Sequence, residues 1–205
     1  MIADYDELKA TIADFLNRED LTAVIPTFIR LAEARISRDL RHWRQEKRST
    51  AQLNAQYSEI PADFVQPIRF QLTDLPTNEL KPLSLAQMLQ MRGDRNDRTG
   101  RPEYYALTAG SIELFPTPDA EYNASLVYYG TVPALSASNT TNWLLTQAPD
   151  AYLYGSLVHS APYLKEDSRI AAWAQFYQGA VDALSTEDDR AQTASAGLKA
   201  RARMF

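Results

Sequence analysis

TNWLLTQAPDAYLYGSLVHSAPYLKEDSRIAAW, residues 141–173, decides how the chain is built. Upstream of it lie short alternating apolar and polar runs. From here on, apolar residues recur every three or four positions, which is the helical period. Leu153, Tyr154, Leu157, Val158 and Ala161 form one stripe, with Pro149 and Asp150 in the first turn and Thr146 as the expected cap. Pro162 lacks a backbone N–H and so ends or kinks that helix. A further helix is expected from Asp167 or Ser168, with Ile170, Ala171, Ala174, Tyr177, Val181 and Leu184 on its apolar face. The stretch also concentrates aromatic residues, carboxylates, a histidine and a lysine. That mixture suits an active site, a binding surface or the seam of an assembly.

The other end of the chain has the same helical period. Tyr5, Leu8, Ile12, Phe15 and Leu16 predict a helix over 4–17, capped by Asp4 with Glu7 three positions on. Ile25, Phe28, Ile29, Leu31, Ala32, Ile36 and Leu40 predict a second, reaching Trp43, with Pro26 in its first turn. Together they read as a helical hairpin. Between the two helical regions the period falls to two, over 52–57, 65–72, 104–108, 111–115 and 124–129. Residues 108–110, Thr-Ala-Gly, suit a turn between antiparallel strands. Residues 84–91 read as a short helix or turn, and RGDRNDRTG after it as an exposed charged loop; its Arg92–Gly93–Asp94 is too short a motif to argue adhesion. The expected fold is α+β: a helical bundle from residues 1–47 and 137–205, with an inserted, mostly antiparallel β domain over 48–136.

Composition excludes several functions. With no cysteine among 205 residues there is no disulfide, thiolate metal site or cysteine nucleophile. No apolar run reaches transmembrane length. The acidic N-terminal stretch lacks the pattern of a secretory leader, so export is not expected. A formal charge of −5 gives no global case for nucleic-acid binding. His42 and His159 are the only histidines, and neither neighbours a nucleophile, zinc or phosphate-loop motif. His42 reads as a surface residue at a helix end and His159 as a core-edge or interface one. Asp182, Glu187, Asp188 and Asp189 lack calcium-loop spacing and read as an exposed acidic turn. No enzyme activity, metal or cofactor is expected.

Charge is more informative locally. Arg30, Arg35, Arg38, Arg41, Arg44, Lys47 and Arg48 face only Glu33, Asp39 and Glu46 across the same segment. Arginines in such a row serve a protein interface, a helix C-terminus or phosphate contacts. A DNA-binding packaging accessory protein is therefore the alternative function. The C-terminal tail is basic, through Arg190, Lys199, Arg201 and Arg203, and ends on apolar Met204 and Phe205.

Three stretches carry a resemblance: residues 5–41, YDELKATIADFLNREDLTAVIPTFIRLAEARISRDLR; residues 100–107 and 112–136, GRPEYYAL and IELFPTPDAEYNASLVYYGTVPALS; and residues 141–173. In this order they resemble the head-to-tail adaptor proteins of short-tailed bacteriophages, the tail tubular protein A type. The resemblance implies a structural virion protein at the head–tail interface, assembled in the host cytoplasm, without catalysis or cofactor. It implies a ring, typically of twelve copies, that joins the portal protein to tail or nozzle proteins and lets double-stranded DNA through without reading its sequence. On this footing Arg35, Arg38, Arg41, Trp43, Tyr163 and Trp173 are the expected subunit-interface residues. Leu198, Arg201, Arg203, Met204 and Phe205 are the expected portal-docking residues. Trp143 and Tyr154 are expected mainly in the core.

Overall fold

The computed structural model describes residues 2–94, 98–164 and 168–195. The chain divides into two compact units, residues 1–44 with 132–205, and residues 45–131. The order of elements is helices, strands, helices, and the fold is α+β.

In the first unit, α1 (Tyr5–Leu16) starts at Asp4, whose carboxylate accepts the N–H groups of Asp6 and Glu7 at 2.9 and 2.8 Å. These are two of the donors every helix start leaves open. The helix ends on Asn17 at φ 51°, a left-handed conformation that asparagine tolerates. α2 (Ile25–Asp39) has Pro26 in its first turn. It stops four residues short of the expected Trp43, because Leu40 turns extended and the Arg41 guanidinium takes the carbonyls of Ser37 and Leu40 at 2.8 and 2.7 Å. α4 (Trp143–Gln147) is capped by Asn142, which accepts Leu145 N–H at 2.8 Å. Thr146, the expected cap, instead donates its hydroxyl back to Asn142 O. α5 (Pro149–His159) follows, then a 3-10 turn containing Pro162, then α6 (Arg169–Ser195). α5 is central and touches α1, α2 and α6. Leu8, Ile12, Ile29, Leu157 and Tyr177 share its core. Packing there is close: a Cβ on Gly155 would lie 3.2 Å from Ala32 Cβ and 3.3 Å from the Tyr177 ring.

The second unit is a two-sheet sandwich. β1 (Glu46–Leu53), β8 (Tyr122–Gly130), β3 (Phe64–Leu72) and β4 (Asn78–Glu79) lie in that order and pair antiparallel. The other sheet runs β2 (Tyr57–Glu59), β7 (Ser111–Phe115), β6 (Tyr104–Thr108), β5 (Lys81–Pro82), antiparallel except between β5 and β6. Leu53, Phe70, Tyr105, Leu114 and Leu126 fill the space between the sheets. The β6–β7 turn uses Gly110 at φ 80°, where a side chain would be strained. The run expected as one strand over 52–57 is broken: β1 starts earlier and β2 begins at Tyr57. α3 (Leu85–Asp94) lies against β6, with Met88 packed on Ala106 and Phe115. Arg92 is therefore not in an exposed loop. It is an inner residue of α3 and pairs with Glu113 at 2.7 Å.

Candidate assembly site

The titratable groups singled out in the sequence are dispersed. His42 is fully buried, not on the surface. Its ring lies between those of Trp43 and Trp143, with centroids 5.7 and 5.1 Å away. Its Nδ1 accepts the N–H of Arg44 at 3.2 Å. Burial depresses its pKa below the ordinary histidine value, against the opposing pull of Asp188 and Glu187. His159 ends α5, and its pKa is also lowered, first by burial and then by Arg35 and Arg38. The expected acidic turn is part of α6. There Asp188 is buried and accepts Trp43 N–H at 2.6 Å, while Glu187 accepts from Gln147 at 2.6 Å. Among the described residues no cluster of three His, Cys, Asp or Glu stands ready for a metal ion. Among them, too, no helix is long and apolar enough to cross a membrane.

The arginine row separates into internal and outward members. Arg35 lies 3.3 Å from Asp39 and 4.3 Å above the Tyr177 ring, whose hydroxyl donates to the same carboxylate at 2.9 Å. Arg41 closes the C-terminus of α2, where its charge also suits the helix dipole. Arg38 is exposed and has no ion-pair partner among the described residues. Trp43 is exposed on one side, with the Arg44 guanidinium 4.8 Å from its ring centroid. Tyr163 is exposed and meets Phe28 edge-on at 5.3 Å. Trp173 is buried in the core of its own unit. Trp143 and Tyr154 are half-buried against that core. Leu198, Arg201, Arg203, Met204 and Phe205 lie outside the described residues.

In the sequence Glu33 stands only as a charge beside the arginine row. It accepts Leu135 N–H at 2.7 Å and so ties the returning chain to α2. Nothing local marks it, since its partner is 102 positions away.

Built this way, the molecule has apolar cores, internal polar ties and outward faces of mixed arginine and aromatic character, as a structural assembly component does. A family model described as SU10 adaptor protein matches residues 3–201, and the chain belongs to that family of head-to-tail connector proteins of short-tailed phages. No curated protein matches the chain. The resemblance read from the sequence holds. This is a structural virion protein, not an enzyme, which links portal and tail at the head–tail interface.

Proposed function

We propose that the linkage is a closed ring of about twelve copies, assembled in the host cytoplasm, through which double-stranded DNA passes unread. The observation that carries this reading is the outward part of the arginine row. Arg38, Trp43 and Tyr163 are accessible, while Arg35 and Arg41 are engaged within the subunit and Trp173 is buried in its core. Arginine and large aromatic residues are what the buried centre of a protein interface favours. The helical unit forms the ring body, and the sandwich meets neighbouring subunits or tail components. The formal charge of −5 suits a passage that duplex DNA slides along, because a strongly basic wall would hold the phosphates. The tail docks on the portal through Leu198, Arg201, Arg203, Met204 and Phe205, whose arginines pair with acids there.

The test is reconstitution on purified portal rings, imaged by electron microscopy and weighed by native mass spectrometry. A ring of defined copy number on the portal is expected. Deletion of residues 196–205 is expected to leave thermal unfolding unchanged and abolish attachment. Full attachment by the truncated chain moves the docking surface elsewhere, and a monomeric wild-type chain on the portal overturns the ring.

A further inference from the structure

α2 leaves one narrow face in solvent. Ile25, Phe28, Ile29, Ala32 and Ile36 turn into the core. Arg30, Leu31, Ala34 and Arg38 are left outside. Leu31 is 45% exposed, a large apolar side chain set between two arginines. Among the described residues neither arginine is in an ion pair; Arg30 donates to the Thr27 hydroxyl at 3.4 Å, and its charge also acts on Glu33.

α1 carries the opposite charge on its outward face. Tyr5, Leu8, Ile12 and Leu16 are buried, and Glu7, Ala10 and Asp14 are exposed. Phe15 beside them is 39% exposed. Glu7 accepts only Ala3 N–H, and Asp14 is in no ion pair among the described residues. The one lysine of α1, Lys9, is neutralised by Asp6 at 2.7 Å.

The two faces match in spacing as well as in sign. At 1.5 Å of rise per residue, Glu7 and Asp14 stand about 10 Å apart along α1, and Arg30 and Arg38 about 12 Å apart along α2. Each face has an alanine between its charges, small enough to let helices approach, and one exposed apolar residue to bury. Within one copy both helices turn their buried faces to α5, so their outward faces point away from their shared support. Among the described residues no ion pair joins the two faces within one copy, which leaves the match open to a second copy. A surface that fits a different surface of an identical chain makes a heterologous contact, and such contacts repeat around a ring when the rotation closes.

We infer that the outward face of α2 in each copy docks on the outward face of α1 in the next, with Arg30 and Arg38 against Glu7 and Asp14 and Leu31 against Phe15. The contact rests on the ring reading above and names its surfaces. Arginine holds a carboxylate with two parallel bonds, which fixes register as well as attraction. The leucine and phenylalanine then shield those bonds from water.

The experiment uses the full chain with Arg38→Glu, with Asp14→Arg, and with both changes together, added to portal rings and sized by sedimentation at low and high salt. Both positions are exposed, so thermal unfolding should match the wild type and serves as the control for folding. Each single reversal is expected to lower ring yield by about tenfold or more, and the double reversal to recover it, because opposite charges face again across every contact. Wild-type rings should weaken as salt rises. Rings that form equally well with either single reversal overturn this contact and leave the ring reading standing. So does a double reversal that folds but does not recover. A wild-type chain that never assembles on the portal overturns the ring reading and this contact with it.

Discussion

Glu33 and His42 sit in one helical unit and pull its pH response in opposite directions. Burial raises the Glu33 pKa above the ordinary glutamate value, and the amide of Leu135, the Tyr152 hydroxyl and Arg30 offset that only in part. With the folded pKa above the unfolded one, its contribution is fully present below the unfolded value and is lost as pH rises through the folded one. Glu33→Gln keeps an acceptor for Leu135 N–H and removes the buried charge. Its stability near pH 7 is therefore expected to equal or exceed the wild type, while Glu33→Ala orphans the amide and costs about 1–3 kcal/mol. Urea unfolding of the three chains from pH 4 to 7 checks both; a Gln variant as weak as the Ala one would refute the account. His42 has the reverse sign. Its folded pKa is depressed, so its contribution is present above the unfolded value and falls away as pH drops through the folded one. His42→Phe retains a ring between Trp43 and Trp143 but cannot protonate. Tryptophan fluorescence should show a flatter loss of stability between pH 7 and 5 than in the wild type, whatever the absolute change. Neither residue's role was legible in the sequence, because burial and the partners that shift it come from distant segments.

At the scale of elements, legibility followed locality. α1 could be read because its cap and its apolar spacing lie within a few residues. β8 could be read because one face is buried, so Leu126 and Tyr128 alternate with Val127 and Tyr129. β1 could not. It is exposed along nearly its whole length and owes its conformation to the ladder that β8 offers one edge. α3 was half legible: residues 84–91 read as a short helix or turn, but not legible was that the helix runs on to Asp94 and that Arg92 turns inward. That arginine holds α3 to the sandwich through Glu113, Thr117 Oγ1 at 3.1 Å and Leu114 O at 2.6 Å, with only 11% and 3% of the paired Arg92 and Glu113 side chains exposed. Gln56 also donates to Glu113, at 2.9 Å. Removing one partner strands the other's charge, so Arg92→Met is expected to destabilise the second unit by about 3–5 kcal/mol. Adding Glu113→Gln should restore much of that loss, since the remaining amide is neutral and keeps its bond to Gln56. Denaturant unfolding of the single and double variants decides it. A double variant no better than the single would mean that packing, not the stranded charge, dominates the loss.

For the whole molecule, the switch of period from helix to strand and back is written in the sequence, and with it the α+β order. The pairing that closes the insertion is not, because its partners, Glu46 and Tyr129 among them, lie at opposite ends of the inserted segment. That pairing puts the entry and exit of the second unit side by side, at the start of β1 and the end of β8. Both sheets, α3 and the Arg92–Glu113 tie lie inside residues 45–131, with an apolar core of their own. A unit of this kind meets the conditions for folding alone, though domains below about 100 residues bury a smaller share of their surface and are correspondingly marginal. We therefore predict that a fragment of residues 45–131 folds as a monomer, with a single cooperative transition in urea and slow amide exchange in β8, a long strand with neighbours on both sides. Adding Arg92→Met to the fragment should lower its midpoint by the same free energy as in the full chain. A fragment with strand-like circular dichroism but no cooperative transition would show that the sandwich needs support from the rest of the chain. Matching losses in the two contexts would assign its stability to its own core.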